Sequence, residues 1–210
     1  LRATLATTIL QAFEKRHDVQ SGMQITSADK KRLEHALALL DDAIGTLENS
    51  ETLKYRTNWV GNRAVAHKLL GHQEKALADA EFAIKLEPNN PGFLRQKAFL
   101  LHEQGKSDDA IIIFKQILGN PKVPEVALLL AGIFHEREDD TSAIPILEES
   151  IKNTKKPDDL LSEEKRLLIH AYMRKEQFDS ARKLTNELRA TNPGSVTDLV
   201  IAARIEKRAN

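Results

Sequence analysis

The chain has 210 residues, 41% of them hydrophobic, with Lys plus Arg and Asp plus Glu balanced at 31 each. That is enough apolar material to bury a continuous core, and the balance speaks against nucleic acid, whose binding surfaces carry a basic excess. No cysteine is present, which removes disulfides, thiolate nucleophiles and Cys-based zinc or redox centres and suits a reducing, cytoplasmic setting.

The opening LRATLATTILQAF is too polar for a signal peptide, and no apolar run approaches the length of a membrane span. A start at Leu1 without methionine fits a piece of a longer protein. Residues 2–16 place Leu5, Ile9, Leu10 and Phe13 at helical spacing, predicting a first helix that ends near His17 and Asp18. A polar stretch through Gly22 follows. Thr26 or Ser27 caps the next helix, which carries Leu33, Ala36, Leu37, Leu40, Ala43, Ile44 and Leu47 and stops near Asn49 and Ser50. Residues 1–56 therefore read as a divergent leading hairpin plus the start of a long helix capped by Ser50 and running from about Glu51 to Leu70.

The segment from Thr57 to Asn90 is the clearest unit. Val60, Ala64 and His67 share a face before Gly71, and Ala76, Ala80, Ala83 and Ile84 share one after it. Gly71 permits a sharp reversal, and Pro88 ends the second helix. The pattern recurs: Gly71 maps to Gly105, Ala64 to Ala98 and Ala76 to Ala110, each at a shift of 34. Further on, Ala98 maps to Ala131, Ala110 to Ala143 and Ala143 to Ala181, and Pro193 follows Ala181 as Pro88 follows Ala76. Four units result, 57–90, 91–123, 124–161 and 162–193, with residues 194–210 as a capping helix. The third has Glu138 and the fourth Glu176 where the turn glycine belongs, and Ile169 takes a position that is small elsewhere.

Within these units, Asn90 caps a helix opened by Pro91, and Ser107 caps its partner. Ile111, Ile112, Ile113 and Phe114 are apolar nearly all round, predicting the most buried helix of the chain. Pro145 predicts a short or bent first turn after Asp140, and residues 153–162 a longer loop.

A helix-turn-helix period of 34 resembles the tetratricopeptide repeat family, on Ala64, Gly71, Ala76, Ala83 and Pro88, then Ala98, Gly105, Ala110 and Phe114, and more loosely Phe134, Tyr172 and Phe178. The resemblance implies an all-α fold, a right-handed superhelical array or α-solenoid of about four to five helical hairpins with a C-terminal capping helix. It also implies a protein- or peptide-binding scaffold or adaptor in which the first helix of each unit lines a concave face. The residues so placed are Asn58, Asn62, Val65 and Lys68, then Arg95, Gln96, Phe99 and His102, then Leu128, Gly132 and His135, and finally Arg166, His170 and Met173.

Chemistry is not expected. HEREDD from His135 lacks the second histidine of a zinc-protease helix, and no phosphate loop or nucleophile motif is present. The paired acids Asp108-Asp109, Asp158-Asp159 and Glu163-Glu164 precede or open predicted helices, where the dipole favours them. His102, His135 and His170 come from successive units, but interhelix histidines are commoner than ligands, and neither a metal nor a cofactor is expected. Asn62 matches the central asparagine of the carboxylate-clamp repeats that hold chaperone tails. The cations of that clamp fall on Gly92 and Gln96, with no match near Lys31, although Arg95 and Lys97 stand one place away. Two alternatives remain beside the adaptor: a regulatory or substrate-recruiting arm of a larger multidomain enzyme, and a self-assembling homo-oligomer in which the last helix of one copy meets the first of another.

Overall fold

A computed structural model of the chain describes residues 1–16, 25–46, 53–152 and 155–209. Among them every regular element is an α-helix, eleven in all, and the chain forms two compact units, Leu1–Ile113 and Phe114–Asn210. The predicted ends at His17-Asp18 and Asn49-Ser50, the stretch through Gly22, the Ser50 cap, Leu47 and part of the 153–162 loop lie outside the described residues.

In the first unit α1 (Arg2–Arg16) packs on α2 (Ser27–Gly45), α2 on α3 (Leu53–Leu69), α3 on α4 (Gln73–Leu86), and α4 on α5 (Pro91–Glu103). Thr26 caps α2, its hydroxyl accepting from the Asp29 amide. Ala6, Leu10 and Phe13 of α1 meet Leu33, Ala36 and Leu40 of α2 and Ala66 of α3. Leu5, expected to join this core, is 51% exposed: Ala3, Ala6, Leu10 and Phe13 set the buried stripe, and Leu5 falls off it.

Small residues bring α3 and α4 together. Ala64, Ala76, Ala80 and Ala83 are fully buried, the first three in one cluster with Leu100 of α5. Val60 and Ala83 pack with Phe93 of α5. A Cβ built on Gly61 would stand 2.5 Å from the Phe93 ring, so only glycine admits that ring. Asn90 caps α5 by accepting from the Gly92 amide, with Pro91 in the first turn. The next helix, α6 (Ser107–Ile117), spans the boundary between the units. It buries one stripe, Ala110, Ile111, Phe114 and Ile117, and leaves Ile112 67% exposed. The expectation of all-round burial is corrected accordingly.

The second unit continues with α7 (Val126–Glu136) on α8 (Asp140–Ile151), α8 on α9 (Asp158–Arg174), α9 on α10 (Phe178–Thr191), and α10 on α11 (Val196–Ala209). Ala131, Ala143, Ala171 and Ala181 are fully buried, and so is Ile169 at a position held elsewhere by a small residue. Pro145 sits inside α8, which runs unbroken from Asp140 to Ile151; Asp139 caps it by accepting from the Ser142 amide.

Four turns share one hydrogen-bond frame. The amides of Gly71, Gly105, Glu138 and Glu176 donate three residues back, to the carbonyls of Lys68, His102, His135 and Met173. The next amides, of His72, Lys106, Asp139 and Gln177, donate five residues back, to His67, Leu101, Phe134 and Tyr172. This is the Schellman ending, and it requires a left-handed residue at its centre. Accordingly φ is 78° at Gly71 and Gly105, 59° at Glu138 and 58° at Glu176.

Candidate functional site

In the first unit the expected face lies on α3 and α5. Asn58 is exposed, and Val65, Lys68, Arg95 and Phe99 are half-buried. The Lys68 ammonium stands 3.9 Å from the centre of the Phe99 ring, a cation and an aromatic face from two successive first helices. Other expected residues serve the array itself. The Asn62 side-chain amide donates to the Thr7 hydroxyl at 2.8 Å, and that of Gln96 donates to the Gly61 carbonyl at 3.1 Å. His102 lies 2.9 Å from the Ser107 hydroxyl. Ser107, expected to cap α6, is its first residue and faces that imidazole instead.

Behind this face Arg63 reaches both neighbouring helices. Its guanidinium donates two bonds to Asp79 on α4, at 2.8 and 2.7 Å, and one to Asp41 on α2 at 2.8 Å. These bonds, the Asp79 pair first, outweigh burial and raise the guanidinium pKa. Below Arg63, His67 is buried and its pKa is pushed down by loss of water, only partly offset by Asp79. Helical pattern marks His67 as a core position but gives no sign of the Arg63 bridge, whose three members come from three successive helices.

In the second unit Leu128, Gly132 and His135 lie on α7, all half-buried, and Arg166, His170 and Met173 on α9. Met173 is buried. Arg166 donates to Asp198 at 2.8 and 3.2 Å and so fastens α11 to α9. The Asp198 carboxyl is almost fully buried and is held below the usual carboxylate range chiefly by that guanidinium. Arg166 thus belongs to the seat of the last helix.

A second lock closes the α7–α8 turn. Arg174 of α9 donates to both oxygens of Asp140, at 2.6 and 2.9 Å, and to the His135 carbonyl at 2.6 Å, while His135 Nδ1 lies 2.7 Å from Asp140. Burial pushes the Asp140 carboxyl up, but the bonds from Arg174 and His135 overcome it and its pKa is lowered. A third lock is also invisible in the pattern. Glu164, read as part of a helix-opening acidic pair, is fully buried in α9 and accepts from Lys156 at 2.7 Å and from Ser150 at 2.9 Å, with Lys156 also donating to Ser150. That pair therefore does not act on a helix dipole.

Two cavities open in the second unit. One, of about 450 Å³, lies between the 118–124 loop and α8, with Val123, Ala127, Pro145 and Ile146 as apolar walls and Ser150 and Lys156 at its edge. The other, of about 460 Å³, is lined by His135, His170, Met173 and Arg174 together with Arg204, Lys207 and Arg208 of α11. The expected binding face includes His135, His170 and Met173 but not the α11 cations, since the pattern marks α11 only as a capping helix. Burial lowers the His170 pKa, and the fields of His135, Arg204 and Arg174 lower it further. Among the described residues no group of three His, Asp or Glu side chains is placed to hold a metal ion, and no helix is long and apolar enough to cross a membrane.

No family model matches the sequence, and no curated protein does. Solved structures match the fold. A tetratricopeptide repeat protein from Parabacteroides merdae superposes with a TM-score of 0.67 at 14% identity, covering 96% of this chain and 73% of its own. The C-terminal part of a repeat-containing protein of the same kind from Cytophaga hutchinsonii gives 0.71 at 14% identity, covering 86% and 67%. YrrB, a protein of this kind described as having an unusual peptide-binding site, gives 0.61 at 16% identity, covering 81% and 84%.

Proposed function

We propose that this chain, whose fold is that of tetratricopeptide repeat proteins, is a protein- or peptide-binding scaffold that uses the exposed sides of its first helices. The observation that carries this reading is the Lys68–Phe99 pair, a cation stacked on an aromatic ring where α3 and α5 meet and both half-open to solvent. Such a platform suits an apolar or acidic side chain of an extended ligand, with Arg95 one turn before Phe99 on α5 and Asn58 further along α3. YrrB's peptide site lends support by analogy of fold. A non-enzymatic role is part of the same proposal, since the polar side chains gathered behind these faces tie helix to helix.

Selection of peptides from a displayed random library tests the reading. Asn58→Ala combined with Phe99→Ala should weaken the selected peptides by about tenfold or more, the loss expected for an interface anchor, with the helical circular dichroism unchanged. Failure to select any peptide, or undiminished binding by the folded double variant, would overturn it.

A further inference from the structure

The cationic cavity of the second unit is a site in its own right. Seven residues line it, and none of them is acidic. Arg174 is neutralised by Asp140, but no ion pair engages Arg204, Lys207 or Arg208 among the described residues. Their charges are therefore uncompensated where they meet the two imidazoles. Helix C-termini favour cations, which accounts for Lys207 and Arg208 in the last turn of α11, yet Arg204 lies before that turn and lines the same wall. That lining suits an anion.

Its size and charge narrow the choice. A space of about 460 Å³ takes one or two side chains, not a duplex or a lipid surface. Three uncompensated cations converging on so small a volume call for more than one negative charge on a single group. A carboxylate supplies one; a phosphate monoester supplies close to two, with three acceptor oxygens for guanidinium forks.

A second observation says what carries the phosphate. Val196 and Val200 of α11 are 72% and 45% exposed, and the spacing 196, 200, 204, 207 keeps one helix face throughout. An exposed apolar strip therefore runs directly into the cationic end. A free phosphate or a nucleic-acid backbone has nothing to place on valine. A peptide with an apolar residue near its phosphorylated one has.

We infer that the cavity between α9 and α11, walled by His170, Arg204, Lys207 and Arg208, binds a phosphorylated serine or threonine in an extended segment of a partner protein, whose neighbouring apolar side chain lies on Val196 and Val200. The inference rests on the scaffold reading proposed above and assigns one of its ligands a chemistry. It concerns helices other than α3 and α5.

The test uses the whole chain and two peptide libraries that differ only at a fixed central residue, phosphoserine in one and serine in the other. Enrichment from the phosphoserine library should exceed that from the serine library by about tenfold. Arg204→Glu with Lys207→Glu should abolish the excess, and Val200→Asp should change which flanking residues are selected. Binding of an enriched, labelled phosphopeptide should also raise the pKa of His170, read by NMR. Equal enrichment from both libraries would remove this inference and leave the scaffold reading standing; no enrichment from either would remove both. An excess that survives the folded double charge reversal, or tighter binding of a single-stranded RNA oligomer or of phosphatidylserine vesicles than of the enriched phosphopeptide, would also overturn it.

Discussion

The first unit turns its hairpins on glycine and the second on glutamate, yet the hydrogen bonds at Gly71, Gly105, Glu138 and Glu176 follow one pattern. The left-handed residue is thus imposed by the helices on either side of it. Where glycine sits there the conformation is nearly free; where glutamate does, packing holds a strained backbone in place. The second unit has the means. Arg174 clamps Asp140 just past the Glu138 turn, and Arg166 clamps Asp198 on the last helix. The first unit has one such bridge, Arg63 to Asp79 and Asp41, and adds close approach, with four buried alanines between α3 and α4 and Gly61 beneath the Phe93 ring.

The contrast breaks most sharply if the clamp is removed. Asp140→Ala leaves Arg174 and His135 without their shared acceptor. Loss of one partner from a buried pair costs 3–5 kcal/mol, and because Arg174 is a third exposed and can rehydrate, about 2–3 kcal/mol is expected here. Urea unfolding would show it as a lowered midpoint; a shift equal to that of an ordinary surface substitution would mean the clamp does not hold the turn. Gly61→Ala tests the other style. Its methyl would collide with Phe93, and overpacking of this kind costs about 1–3 kcal/mol. Gly132→Ala in α7 meets nothing within 4 Å and should instead stabilise by up to about 1 kcal/mol through helix propensity. Like signs in the two melts would contradict the packing described.

The parts of this architecture that could be read in the sequence are those with no latitude. Ala64, Ala76, Ala98, Ala110, Ala131, Ala143 and Ala181 are all fully buried, so each recurs at the spacing that two touching helices demand. Gly71 and Gly105 were legible for the same reason. Glu138 and Glu176 could be placed only by counting from them, since glutamate carries no turn signal. Ile112 is as apolar as its neighbours but falls off the buried face, which composition alone does not distinguish. The locks and the cationic cavity were not legible, because their members come from different helices: Asp140 and Arg174 are 34 residues apart, and Arg166 and Asp198 are 32 apart. Of the expected binding residues, Asn62, Gln96 and Arg166 are tied to neighbouring helices. A helical face inferred from spacing does not separate a side chain that points into solvent from one that reaches the next helix.

The smallest effect is the most direct on the comparison. Glu176→Gly places glycine where the backbone is already left-handed, relieving about 1–2 kcal/mol of steric strain while adding freedom to the unfolded chain, so a net gain of about 0.5–1 kcal/mol is expected. Glu138→Gly should gain less, because that carboxylate also lies in the field of Arg174. In the first unit Gly71→Ala should lose about 1 kcal/mol although no atom stands within 4 Å of the added methyl, which leaves backbone strain as the sole cost. Measured together by thermal melting, the three substitutions share one geometry and differ in sign only through the residue that geometry prefers. A destabilising Glu176→Gly would mean that the glutamate side chain, and not the helices flanking it, holds the fourth turn.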